Sequence, residues 1–173
     1  MKKNTALPWI VFFGALALGV LLHFLHGWLP VPVTALISPV KESIWEHLKI
    51  LFYPLLLSAF ILSRGNSALR SVRLLAIPVV CALMLGAAWV YHVAFRGENM
   101  AFDLILYVVL MVLGFLLPRW IWPLGDWPGV TRAAVGLVII LGALIVWFSF
   151  FPPNNVLFAD LRGGLRTFLT IPI

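Results

Sequence analysis

Apolar residues run along this chain in long blocks, broken at four places by short polar or Pro- and Gly-rich stretches. About 20 mostly apolar residues in helical conformation cross the hydrocarbon core of a bilayer. Five blocks qualify, at about 8–29, 45–63, 72–95, 102–118 and 132–152. They predict an all-α polytopic bundle, one integral membrane domain over 1–173 with a tail at 153–173. Pro54 and Pro78 fall inside the second and third blocks, where they predict kinks that neighbouring helices tolerate. The breaks are "LPVPVTALISP" (29–39), "SRGNSALRSVR" (63–73), "RGENMAF" (96–102) and "PRWIWPLGDWPGVTR" (118–132). The last has the Trp content of an interfacial loop. The first block follows Lys2 and Lys3 as a signal peptide would, but it is long enough to span and reads as an uncleaved first helix.

Composition agrees. The chain is 63% hydrophobic and 10% charged, with mean hydropathy +1.08, against about 25% charged residues in an ordinary soluble domain. A net charge of +6 and a pI near 10.1 would suggest nucleic acid in a soluble protein. Here basic loops at a membrane surface explain them, and no nucleic-acid, nucleotide or haem motif is present. The single Cys81 lies in an apolar run and reads as packing.

The Lys and Arg distribution sets an expected orientation, N-inside and C-outside. Lys2, Lys3, Arg64, Arg70, Arg73, Arg119 and Arg132 then lie inside, and Lys41, Lys49, Arg96, Arg162 and Arg166 outside. This places the protein in the cytoplasmic (inner) membrane. On the same map all four histidines and five of six acids fall at one end of the bundle, with Asp126 alone at the other. That conclusion depends only on the number of spans.

The densest polar stretch is "ISPVKESIWEHLKILFYP" (37–54). Ser38-Pro39 reads as a helix start, Ser at the N-cap and Pro at the first position, with the helix running on into the second span. Glu42, Glu46 and Lys49 would then share one face, and Ser43 and His47 the adjacent face. Trp45 reads as an interfacial anchor. His23 and His26 share a face of the first span. Asp103 either orients a histidine, with His92 at the same depth, or caps the fourth span. Asp160 lies in the tail at the same end.

The stretch "ESIWEHLKILFYP" also resembles an uncharacterised family of small multi-pass prokaryotic membrane proteins, a domain of unknown function, whose signature looks like "VNES(V/I)WEHLK" followed by an aromatic-Pro pair. The matching positions are Val40, Glu42, Ser43, Ile44, Trp45, Glu46, His47, Leu48, Lys49 and Tyr53-Pro54. The His23 and Asp103 positions and the tail "FPPNNVLFAD" are similar too. Lys41 stands where the family usually has Asn, and the chain after Asp160 departs from the family's Gly-Tyr-rich ending. The resemblance implies a membrane bundle and brings no activity with it.

Three classes of function fit these residues. In the first, His23, His26, His47, His92 and Asp103 supply ligands for a divalent transition metal such as zinc. Glu42, Glu46 and His47 do the acid–base work of a hydrolase or transferase acting on a lipid or small substrate. Ser43, Trp45, Lys49 and Asp160 complete the polar site. Ser43 four residues before His47 offers a nucleophile–base spacing, without a nucleophile elbow. No HExxH, ExxH or CxxC motif is present. In the second, the chain is a transporter or the substrate-binding subunit of one. In the third, it is a non-catalytic accessory protein whose charges pair internally and dock a membrane-protein partner. Like-charged acids kept beside histidines on separate spans tilt the reading toward a ligand-binding or catalytic site.

Overall fold

The computed structural model describes residues 6–124 and 127–161. Lys2, Lys3, Asp126, Arg162 and Arg166 lie outside the described residues. The described chain is helical, without strands. Helix α1 is Leu7–Trp28, a short α2 is Pro32–Ile37, and α3 is Leu48–Leu62. Helix α4 runs Ser67–Trp89 and continues into a π-helical turn, Val90–Ala94. Helices α5 and α6 are Met100–Trp120 and Pro128–Phe150.

Four helices are long and apolar enough to cross a membrane: α1, α4 with its π turn, α5 and α6. The second expected span is different. Helix α3 has 15 residues, about 22 Å at 1.5 Å per residue, short of a hydrocarbon core of about 30 Å. It is short because the helix does not begin at Pro39. Ser38 is the C-cap of α2, and residues 39–47 are bends and turns. Irregular backbone at membrane depth is tolerated only where protein buries it or it lines a cavity. Here Ser43, Ile44, Trp45 and Glu46 are buried, and Glu42 and His47 line a cavity.

The backbone groups of this segment find partners outside any helix. Trp45 N donates to Leu157 O at 3.0 Å and Leu161 N to Glu42 O at 2.6 Å. The described part of the tail is therefore folded against the 42–45 segment. Trp45 is not an interfacial anchor. It is 8% exposed and packs against Phe148 of α6 and Phe158 of the tail, with ring centroids 5.3 and 5.2 Å away. Trp9, Trp28, Trp120, Trp122 and Trp127 are exposed instead, at the two ends of the spans where indole is favoured.

Helix α3 occupies the centre, in contact with α1, α4, α5 and α6. Its Leu48, Leu51, Phe52, Leu55 and Ala59 are buried. Pro54 cannot donate to the Ile50 carbonyl one turn back, and that carbonyl faces Gly19 of α1. A Cβ at Gly19 would collide with the Ile50 carbonyl and the Tyr107 hydroxyl, so glycine lets α1, α3 and α5 meet there. All the polar groups of interest lie at one end of this bundle: the end of α1, the start of α3, the end of α4 and the start of α5.

Candidate functional site

Within residues 37–54 the structure separates two groups that helical spacing had merged. Glu46 and Lys49 form one. Lys49 Nζ lies 2.9 Å from Glu46 Oε2, and both side chains are essentially inaccessible, at 0% and 1%. Lys49 also donates to the carbonyls of Ala35 at 2.7 Å and Ser38 at 2.9 Å. Tyr53, one turn on, donates to the Leu36 carbonyl at 2.7 Å. Two residues of α3 thus satisfy the carbonyls that the end of α2 leaves open. Glu46 accepts from Val40 N at 2.7 Å and from Ser149 Oγ of α6 at 2.8 Å. This is a brace, with each charged atom provided for. Glu46 has no exposed oxygen to act as a base, and Lys49 has no access to a ligand.

Two further expected site residues also serve the scaffold. Ser38 Oγ donates to Leu22 O at 2.5 Å and accepts from His26 N at 2.9 Å, which inserts a hydroxyl into the ladder of α1. Thr34 Oγ1 donates to carbonyls of the 29–31 turn, so His26 Nδ1 donates to Thr34 Oγ1, at 2.8 Å. His26 is turned to α2 and does not join His23. Ser43 is buried; its hydroxyl accepts from Glu46 N at 3.2 Å and its carbonyl holds His47. It is placed as a helix-entrance cap, not as a nucleophile.

The second group is His23, Glu42 and His47. One ligand atom from each lies within 4.8 Å of the others. His47 Nε2 is 3.2 Å from Glu42 Oε2, and His23 Nε2 is 3.9 Å from Glu42 Oε1. The imidazole rings are 5.3 Å apart. These side chains are 15–25% exposed, neither sealed like the brace nor free in solvent.

The tautomer of His47 follows from its neighbours. Nδ1 lies 2.7 Å from the Ser43 carbonyl, which only accepts, so Nδ1 carries the proton. In a neutral ring Nε2 then presents a lone pair to a carboxylate oxygen. Two acceptors at 3.2 Å need a positive centre between them, a proton or a metal ion. A backbone carbonyl holding one imidazole nitrogen so that the other can ligate is the usual outer support of a metal-bound histidine. Bonds of about 2.0–2.2 Å at tetrahedral angles put neighbouring ligand atoms about 3.4 Å apart; the 3.2 Å separation is to Glu42 Oε2 and the 3.9 Å one to Glu42 Oε1.

The cluster opens on a cavity of about 460 Å³. His92, Glu98, Asp103 and Tyr107 also line it. His92 Nε2 is 2.8 Å from Asp103 Oδ1 and Nδ1 is 2.8 Å from Gly97 O. Both partners are acceptors, so the pair shares an added proton. The π turn and the loop after it make this arrangement. Arg96 takes a left-handed φ of 53°, unusual without glycine. Gly97 packs on the Tyr91 ring, which stacks on Phe102 at 3.7 Å. Asp103 is not a cap: Asn99 holds that role, accepting from Ala101 N at 2.8 Å.

Sequence reading placed Glu42 among proton carriers; the geometry groups it with two histidines. Glu98 and Tyr107 were not singled out, though Glu98 lies in the turn at this end of the bundle. Ser149 and Thr34 were missed as well. Ser149 is a lone hydroxyl near the end of an otherwise apolar span, which is the one signal it gave. Asp160 is at this end, but the cavity is lined by its neighbour Leu161.

A helical bundle with four spanning-length apolar helices and a shorter one in its middle is a multi-pass integral membrane protein. The lipid bilayer is its surroundings. The chain matches, over residues 3–166, the model described as Family of unknown function (DUF6512), and it belongs to that family. No curated protein and no solved structure matches it.

Proposed function

We propose that His23, Glu42 and His47 bind one divalent transition metal ion, zinc the leading candidate, and that the cavity beside it hydrolyses a lipid or small substrate. The observation that carries this is the His47–Glu42 contact, in which the Ser43 carbonyl holds Nδ1 and leaves Nε2 facing a carboxylate oxygen 3.2 Å away. Two His and one Glu with an open fourth position is a ligand set of catalytic zinc sites. A metal there would lower the pKa of a bound water and polarise a carbonyl.

Asp103 is 42% exposed, lines the cavity and is held by His92. In this scheme Asp103 takes one proton from water and returns it. In ester hydrolysis the water oxygen joins the carbonyl carbon and the carbon–oxygen bond breaks. The leaving oxygen then receives the proton that Asp103 took. His92 is a positioning residue in this scheme. The site lies at the end of the bundle that the basic-residue bias assigns to the outer face of the cytoplasmic membrane.

The test uses purified protein stripped with a chelator, then reloaded with zinc in lipid vesicles. Hydrolysis of a fluorogenic acyl ester in those vesicles should require the metal and vanish in His47→Ala. Activity unchanged by chelation, or retained in His47→Ala, would contradict the proposal. Metal binding without hydrolysis would favour a binding or transport subunit.

A further inference from the structure

The cavity is lined in part by two spans, α1 and α5. Near mid-depth α1 and α5 are joined. Phe12 and Phe115 meet edge to face at 5.1 Å, and Tyr107 Oη donates to Leu16 O at 2.9 Å. Gly19 leaves room for the Tyr107 ring end. Leu16 and Gly19 lie about 18 and 14 Å from the end of α1 at Trp28, at 1.5 Å per residue. From there toward the polar end the cavity is lined by both helices, together with α3 and the end of α4. Its lining includes Val20 and Phe24 of α1 and Met100 and Leu104 of α5. These four side chains are 46%, 42%, 77% and 59% exposed. Exposed apolar side chains on spanning helices face acyl chains. The same cavity is lined by His23, Glu42 and His47, and by Asp103 and His92.

The charges narrow the occupant. Among the described residues that line the cavity there are three acids, Glu42, Glu98 and Asp103, three histidines, and no Lys or Arg. Phosphate recognition ordinarily uses Arg forks, Lys or helix N-termini; the lining supplies no Arg or Lys, and at the N-terminus of α5 it sets Glu98 and Asp103. From this we infer that the cleft admits an acyl lipid with an uncharged head, sideways from the bilayer, its ester or amide at the cluster and an acyl chain between α1 and α5. This substrate class rests on the proposed metal site for its chemistry, while the cleft itself rests only on the helices.

The test is photolabelling of the protein reconstituted in phosphatidylcholine vesicles. One probe is a monoacylglycerol with a diazirine in its acyl chain; the other is a lysophosphatidic acid with the same chain. Mapped by mass spectrometry, the neutral probe should label the Val20–Phe24 and Met100–Leu104 segments about tenfold over the exposed Ile139 face of α6, a preference of about 1.4 kcal/mol. Leu104→Trp, which narrows the cleft, should abolish that preference. Even labelling of both faces, or a preference that survives Leu104→Trp, would overturn the cleft. Equal or stronger labelling by the phosphate probe would overturn the uncharged head. Zinc content measured on the same samples separates the two claims. Cleft labelling in protein that binds no metal sinks the hydrolase and leaves the cleft standing; bound zinc without cleft labelling sinks the cleft alone.

Discussion

Glu46 with Lys49 and Glu42 with His47 are acid–base pairs that lie within eight residues of each other, at 2.9 and 3.2 Å. Their surroundings differ in one respect. Lys49 has two carbonyls and a carboxylate around its ammonium, and Glu46 has a backbone N–H, a hydroxyl and that ammonium around its carboxylate. Burial without such partners costs several kcal/mol per ion, so this pair is built as structure and removing either half should be felt throughout the fold. The Glu42 pair borders the cavity instead of being sealed from it. A charge enclosed among its partners holds the chain; one that borders a cavity stays within reach of a ligand.

The contrast can be broken most forcefully at Lys49. Lys49→Met strands the Glu46 carboxylate and two carbonyls, and should lower stability by about 3–5 kcal/mol, read as thermal unfolding in detergent. Adding Glu46→Gln should restore part of this, because the stranded charge goes while the carbonyls stay open. A single variant as stable as the parent would show that the brace is not one. Glu42→Gln should do the reverse. Stability should move by less than about 1 kcal/mol, as for sites away from packing. Zinc affinity should fall at least about a hundredfold, equivalent to about 2.7 kcal/mol, as isothermal titration would record.

Acidity offers a sharper separation. Imidazole ligates only when neutral. Burial works against a charged His47 ring, but the Glu42 contact and the Ser43 carbonyl outweigh it and hold its pKa above the ordinary 6.5, so protons compete with the metal from above that value downward. With two histidine ligands, affinity should fall with pH by up to about a hundredfold per unit once both rings are protonated. A flat profile between pH 5 and 8 would rule out ligation by the two histidines. Ser149→Ala removes one hydrogen bond to Glu46 and should cost about 1–2 kcal/mol, with zinc binding intact. Trp28→Ala, at an exposed belt position, should change stability by no more than about 0.5 kcal/mol.

Much of this arrangement could be read from residue order. Block lengths located the four long spans to within a few residues. Counting spans put the histidines and acids at one end, because parity alone decides which ends neighbour. Nearness of Asp103 to His92 followed from their depths. The 38–47 segment was misread because Ser38-Pro39 has helix-start chemistry and Glu42, Glu46 and Lys49 have helical spacing. Neither shows that a later tail and the end of α2 supply hydrogen bonds to an unwound chain. That misreading carried others with it: Glu42 was grouped with Glu46, and Trp45 was assigned to the interface when Phe148 and Phe158 enclose it. His26 and His23 share a face by spacing, yet Thr34, eight residues beyond His26, decides where that ring points. Such partners are long-range, and local periodicity carries no trace of them.

The most direct measurement is the metal content of the purified protein after equilibration with zinc and removal of excess, for the parent, Glu42→Gln/His47→Ala and Ser149→Ala. One ion per chain in the parent and in Ser149→Ala, with none in the double variant, is the predicted result. Zinc absent from the parent, or retained by the double variant, would contradict a metal site at His23, Glu42 and His47.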